Sequence, residues 1–301
     1  MNNGRRNLAS PAFTLPEILI AIAIGGIVLL AAVSFLFSFI LNLEQTDEHT
    51  AAIQRAEMVL TILSSPVLQS GIGMPTETAD FQDSLNGLSA IAGWNGPVEV
   101  LTTTNVNDTI RIVYGVGTDL GLEEFGSDTV SDGEPPVTLT LSGPPPAGTF
   151  SPGVPSSSKG WCLLPASDVP LRITAPLSNN TMSVTVASGS PLGTGFNRFD
   201  QVHLLRRMEA GVTTGADPAF YTNDLMGGGE QPRVQGISGL HFEFDSDTGV
   251  ISVVVLARGN KRHDEQITPS APAGWYPAWG FSTEDTHYRL SVLQTAWRIR
   301  N

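Results

Sequence analysis

Twenty-six consecutive residues, Ile18 to Leu43, carry no charge. As a helix rising about 1.5 Å per residue they reach roughly 39 Å, more than the ~30 Å of a hydrocarbon core. The apolar segment of a secretory signal holds only about 7–15 residues, so this run is too long to be one. Arg5 and Arg6 precede it, and the next base along the chain is Arg55. Basic residues stay on the cytoplasmic side, which puts the amino end inside and everything after Leu43 outside. Residues 13–43 therefore form the membrane-spanning half of a helix, and the chain is expected to cross once.

The apolar run continues into an amphipathic stretch over residues 44–70. Ile53, Ala56, Val59, Leu60 and Leu63 recur at helical spacing, with Gln54, Arg55, Glu57 and Thr61 between them. Ser64-Ser65-Pro66 is expected to break or kink the helix, and Gly71 and Gly73 to end it. A helix from Phe13 to Ser65 would span roughly 80 Å. Its first half has no soluble core to face, whereas its second half requires one.

The remainder, residues 71–301, reads as a β-rich head. Thirty-one glycines and twenty-one prolines point to many turns. Thr109–Val116 and Val137–Leu141 are expected strands, separated by an acidic, turn-rich run over Gly117–Pro136. Fourteen of the nineteen residues in 142–160 are Gly, Pro or Ser, which predicts a structureless loop. After Trp161 the expected strands are Leu171–Thr174, Met182–Ala187, Gln201–Met208, Leu240–Phe244, Gly249–Ala257 and Tyr288–Ile299. Leu240, Phe242 and Phe244 alternate with His241 and Glu243, and Asp245-Ser-Asp-Thr-Gly249 closes a hairpin. Antiparallel strands on one long helix make the fold class α+β.

Charge and chemistry narrow the function. The formal net charge is −13. Residues 44–135 hold fifteen acids against two bases, so the whole excess sits in one stretch. Such a field repels nucleic acid, and no nucleic-acid partner is expected. The single cysteine, Cys162, forbids an intrachain disulfide and any zinc site needing two thiolates. No nucleophile elbow, zinc-binding helix motif, phosphate loop or dinucleotide fingerprint occurs. The five histidines (49, 203, 241, 263 and 287) are scattered. Asp245-x-Asp247-x-Gly249 begins like a calcium loop, but its twelfth position is Leu256 rather than glutamate, and an Asx-type turn is favoured. The acids of the 117–135 run are read as a solvated loop. No catalytic residue, cofactor or metal is assigned, and the chain is not expected to be an enzyme.

One carboxylate stands at the mouth of the span. Around it runs Ala12-Phe13-Thr14-Leu15-Pro16-Glu17. With the basic leader and the long apolar run, it resembles the prepilin motif of type IV pilins and pseudopilins. That resemblance implies a leader over residues 1–12, cleavage between Ala12 and Phe13, and N-methylation of Phe13. It makes Glu17 the fifth mature residue, with Thr14, Leu15 and Pro16 as processing context. Alanine before the cut departs from the usual glycine but keeps a small side chain. Pro16 would be fourth in the cut chain, where its missing N–H costs no helical bond. In the uncut chain it pushes Leu15 away from α geometry and holds the leader extended.

The run Ile53-Gln-Arg-Ala…Leu60…Leu63…Gly71-Ile-Gly73 is similar to PilW-type minor pilins and the J-type pseudopilin of type II secretion. So is the ending Tyr288-Arg-Leu-Ser-Val…Trp297-Arg-Ile-Arg-Asn301. The family implies an inner-membrane subunit that primes, caps or decorates a filament. Its partners would be other pilins or pseudopilins, the prepilin peptidase and the inner-membrane assembly platform. Glu17 would set assembly register. The alternative is a membrane-anchored outer binding module, an adhesin or carbohydrate binder that never enters a filament. The intact mass from cells should equal the chain without residues 1–12 plus one methyl group. Phe13→Asp or Ala12→Arg should keep the leader, and a wild-type mass that still includes Arg5 and Arg6 would refute the processing assignment.

Overall fold

The computed structural model describes residues 14–102, 107–125, 129–175, 179–215, 217–224, 229–281 and 283–299. Ala12 and Phe13 lie outside the described residues, as does the leader. The chain divides into two compact units, Met1–Glu48 and His49–Asn301. In the first unit the described residues after Thr14 are helical, and their apolar side chains, such as Leu30 and Phe35, are exposed. They belong to helix α1, which runs Leu15–Leu68. Among the described residues it is the one helix long and apolar enough to cross a membrane.

Within the second unit, the last turns of α1 bury Ala52, Ala56, Val59, Leu63 and Val67 completely. Their spacing of three and four residues puts them on one stripe. Ile53 and Leu60, expected in the core, are only half-buried on its flanks. Pro66 does not break the helix. It sits in the last turn, where its missing N–H forfeits a single bond before the chain leaves at Leu68. Gly71 and Gly73 follow with φ of 77° and 60°, a left-handed backbone that turns the chain away.

Among the described residues fourteen strands complete the unit: β1 (Val98–Thr102), β2 (Asp108–Phe125), β3 (Thr129–Val130), β4 (Val137–Leu141), β5 (Trp161–Leu163), β6 (Leu171–Ile173), β7 (Thr181–Thr185), β8 (Gly193–Thr194), β9 (Gln201–Val212), β10 (Ala219–Asn223), β11 (Glu230–Gln235), β12 (Ile237–Asp245), β13 (Val250–Arg258) and β14 (Leu290–Arg298). Among the described residues one further α-helix, α2, spans Thr78–Ser84. All strand pairings are antiparallel, so the class is α+β with a long amino-terminal apolar helix and an antiparallel head.

The large sheet does two jobs because β2 and β9 are long. Through Ile110–Gly117 paired with residues 203–210 they form the centre of an open sheet, flanked by β1 on one side and β10–β11 on the other. Beyond that, β2 pairs with β4 through Leu122–Phe125, and β9 pairs with β5 through His203 and Leu204. The pairings β2–β4–β7–β6–β5–β9–β2 close into a six-stranded barrel. Each wall strand contributes to its filling: Leu122, Leu139, Leu141, Met182, Val184, Leu171, Ile173, Cys162 and Val202. Closure removes the free edges that the four short strands β4, β5, β6 and β7 would otherwise expose.

The open sheet meets α1 and a three-stranded sheet, β12–β13–β14, in one core. Ile110, Ile112, Ala210 and Phe220 come from the first sheet, Leu240, Phe242, Val253 and Val255 from the second. A third cluster on Phe81, Leu88, Trp94, Trp161 and Leu205 holds α2 and the segment after it, while Trp279 covers β13 from outside.

Two expectations fail. The acidic run does not turn at Gly117, because β2 continues to Phe125, with Leu120 and Leu122 buried and Asp119, Glu123 and Glu124 exposed. Nor is 142–160 structureless. Phe150 enters the barrel core, Ser151 N–H donates to Lys159 O, and the indole N–H of Trp161 donates to Pro155 O at 2.8 Å. The strands β1, β3, β5, β8, β10 and β11, and the helix α2, have no counterpart among the expected elements. Leu63→Ala should lower unfolding stability by about 2–5 kcal/mol, the cost of a cavity in a tightly packed site. Denaturant titration checks it, and Met58→Ala, on an exposed face, should cost far less.

Candidate processing and assembly site

Thr14 precedes α1, so Leu15, Pro16 and Glu17 are its first three residues. A helix start leaves N–H groups without partners. Here the Glu17 carboxylate reaches back: its Oε2 accepts from the Thr14 backbone N–H at 2.9 Å and from the Thr14 hydroxyl at 2.9 Å. The Thr14 carbonyl accepts the first helical bond, from Ile18 N–H at 3.2 Å. This is the returning half of a capping box, in which a hydroxyl residue is followed three positions later by glutamate. A carboxylate in the first turn also meets the positive end of the helix dipole. Pro16, second in the helix, needs no acceptor for an N–H it lacks.

The first described helical residue is Leu15, because Thr14 takes the capping position; Phe13, the expected start, lies outside the described residues. Thr14 and Glu17 are brought together. Leu15 and Pro16 lie exposed beside them, and Ala12 and Phe13 lie outside the described residues. The sequence reading gave Glu17 no partner within its own chain. The signal was present in Thr14-Leu-Pro-Glu17, a spacing of three residues with a known mechanism. Gly25 and Gly26, at mid-span, have no atom within 4 Å of where a Cβ would sit.

Residues 10–33 match the family model described as the prokaryotic N-terminal methylation motif. The match supports a type IV pilin-like protein. No curated protein and no solved structure matches the chain. Together, the single apolar helix and the pilin-like motif support a membrane-anchored, single-pass protein.

Several polar residues of the head have local duties. Asp245 closes the β12–β13 turn by accepting from Asp247 N–H at 2.9 Å and from the Thr248 hydroxyl at 2.7 Å. The Thr248 hydroxyl, followed by the Asp247 N–H, holds its carboxyl below the usual range. Asp132 accepts from Ser188 and from Gly189 N–H, both at 3.2 Å. Among the described residues no three His, Cys, Asp or Glu side chains converge as metal ligands.

His241 has a partner that its sequence position did not reveal. Its Nδ1 lies 2.6 Å from Asp108 Oδ2, which also accepts from Phe242 N–H at 2.9 Å. The imidazole stacks on Tyr276 with ring centres 3.6 Å apart. These contacts tie the start of β2 to β12. Arg55 on α1 ties the helix to the end of β13, its Nη1 donating to Arg258 O at 2.7 Å and to Gly259 O at 3.1 Å.

Cys162 lines the barrel core, where burial pushes its thiol up to about 12. At pH 8 that leaves roughly one thiolate in 10⁴, and no solvent reaches it. Maleimide should therefore not label the native chain over hours at pH 8, and should label it fully in denaturant. Rapid labelling of native protein would contradict the closed barrel.

Proposed function

We propose that the chain is a minor pilin or pseudopilin, a non-enzymatic structural subunit that primes, caps or decorates a filament. The observation that carries this is the methylation motif at residues 10–33 running into one long apolar helix. The size of the head supports a minor role. A six-stranded barrel built between β2 and β9 adds bulk that a subunit stacked along a fibre would have to accommodate at every repeat. In this reading the prepilin peptidase cuts between Ala12 and Phe13, Phe13 is methylated, and the amino end faces the cytoplasm. The partners are other pilins or pseudopilins and the inner-membrane assembly platform.

Cleavage creates an amine at Phe13 that the precursor lacks. A carboxylate carried into an apolar bundle needs a cationic partner, since an unpaired charge there costs several kcal/mol. Glu17 is the one acid ahead of Glu44, and no base lies between it and Arg55. The amine of a neighbouring subunit is the partner within reach when two helices are staggered by about one turn. The Thr14 bonds support this role: they fix the carboxylate at the helix start on Oε2. Pairing in register recovers much of the desolvation cost, and pairing out of register leaves two bare charges.

Glu17→Ala should still be cut after Ala12 and still sit in the membrane, yet be absent from sheared filaments. Glu17→Gln should fail alike, because an amide accepts the Thr14 bonds but brings no charge. Immunoblots of membrane and sheared fractions read both outcomes. Recovery of either variant in filaments at wild-type yield would overturn the register role.

A further inference from the structure

The three-stranded sheet has two edges, and they are finished differently. Along β13 the main-chain bonds alternate: Arg258 N–H reaches Gly236 O beside β12, whereas Gly259 N–H reaches Arg289 O beside β14 and Ile299 N–H reaches Gly249 O. With the β13–β14 register, odd-numbered residues of β14 bond to β13, and the N–H and C=O of Gln294 and Ala296 point away. On β12 two of the outward N–H groups are taken by side chains. Leu240 N–H donates to Asn107 Oδ1 at 3.0 Å and Phe242 N–H to Asp108 Oδ2 at 2.9 Å. On β14 the outward groups of Gln294 and Ala296 have no hydrogen-bond partner among the described residues.

Natural edges are usually blunted by proline or charge. The edge strand β11 has Glu230, Pro232 and Arg233. Residues 290–297 have neither. Gln294, Ala296 and Arg298 are exposed, and Leu293 and Trp297 are only half-buried against the shared core. An uncharged, unpaired edge flanked by incompletely covered apolar side chains is a template for another strand.

We propose that β14 pairs with β14 of a second copy of this chain, antiparallel about a two-fold axis at Thr295, to make one six-stranded sheet. The outward groups set the register. Gln294 of one copy exchanges two hydrogen bonds with Ala296 of the other, and the symmetric pair does the same. Thr295 then faces Thr295 at a non-hydrogen-bonded position, where Cβ atoms approach to about 4.5–5.5 Å. On the core side Leu293 faces Trp297 of the second copy, which covers both half-buried side chains. A two-fold contact must be self-complementary. This stretch sets apolar against apolar and hydroxyl against hydroxyl, and opposes no like charges. A register with Gln294 opposite itself would set Leu293 against Thr295 and Ser291 against Trp297, losing both matches. Nothing in the pairing depends on entry into a filament.

The test uses the full-length chain in detergent. Thr295→Cys, oxidised under mild conditions, should give a reducible dimer, shown by two differently tagged copies to contain this chain twice. The wild type should give none, since its one thiol, Cys162, is buried. Ala296→Pro removes an outward N–H and spares the bonds to β13. It should weaken self-association at least about tenfold in sedimentation equilibrium, two of four bonds being lost, with an unchanged unfolding temperature. Should Ala296→Pro misfold, Ala296→Lys, a charge on an exposed position, must weaken association likewise. A wild-type chain that stays monomeric would overturn the proposal. So would a Thr295→Cys chain that couples only to some other protein, or an association constant unmoved by Ala296→Lys.

Discussion

The stripe Ala52, Ala56, Val59, Leu63, Val67 is the contact on which the rest of the head depends. It puts small and branched side chains of α1 against strands of both sheets at once. Neither sheet could bury its inner face on the other alone, because the core contains helix residues throughout. Two alanines in five let the helix backbone come close, and Arg55 then reaches the carbonyls that end β13. Packing at native density leaves little freedom to slide such a helix by a turn, since every stripe residue would meet a different hollow.

At the other end of α1 the governing term is electrostatic. Glu17 serves as the helix's own cap, through Thr14; in the proposed assembly it would also be the charge offered to a neighbour. The two duties are compatible. Both bonds from Thr14 fall on one oxygen, and a carboxylate has lone pairs to spare on the other.

The barrel shows how a large head is made from short strands without inviting aggregation. β5 and β6 have three residues each, at the short end of the usual range of about 3–10. Threading them between the long strands β2 and β9 closes the ring, and the proline-rich strap from Ser142 to Gly160 supplies Phe150 to the filling. The strap is ordered by its contacts and not by regular secondary structure.

The sequence by itself determined the elements whose reason is local. A charge-free run of twenty-six residues can be little other than a span. The 3.6-residue period after Glu44 marked the buried stripe to within a residue, and Val137–Leu141 and the Leu240–Phe244 alternation were legible for the same cause. The cap Thr14-x-x-Glu17 is equally local, but it was missed until the structure showed the two Thr14 bonds to the carboxylate. What only the tertiary structure decided is pairing at a distance. Leu120 and Leu122 alternate with acids like any strand, but glycines and carboxylates there also spell a turn, and the choice falls to the barrel core that takes the leucines. Closure of β2 on β4 and β9, the meeting of His241 with Asp108, and the bare edge at Gln294 and Ala296 depend on residues far apart along the chain. Their energy comes from contacts that no window of neighbouring residues contains.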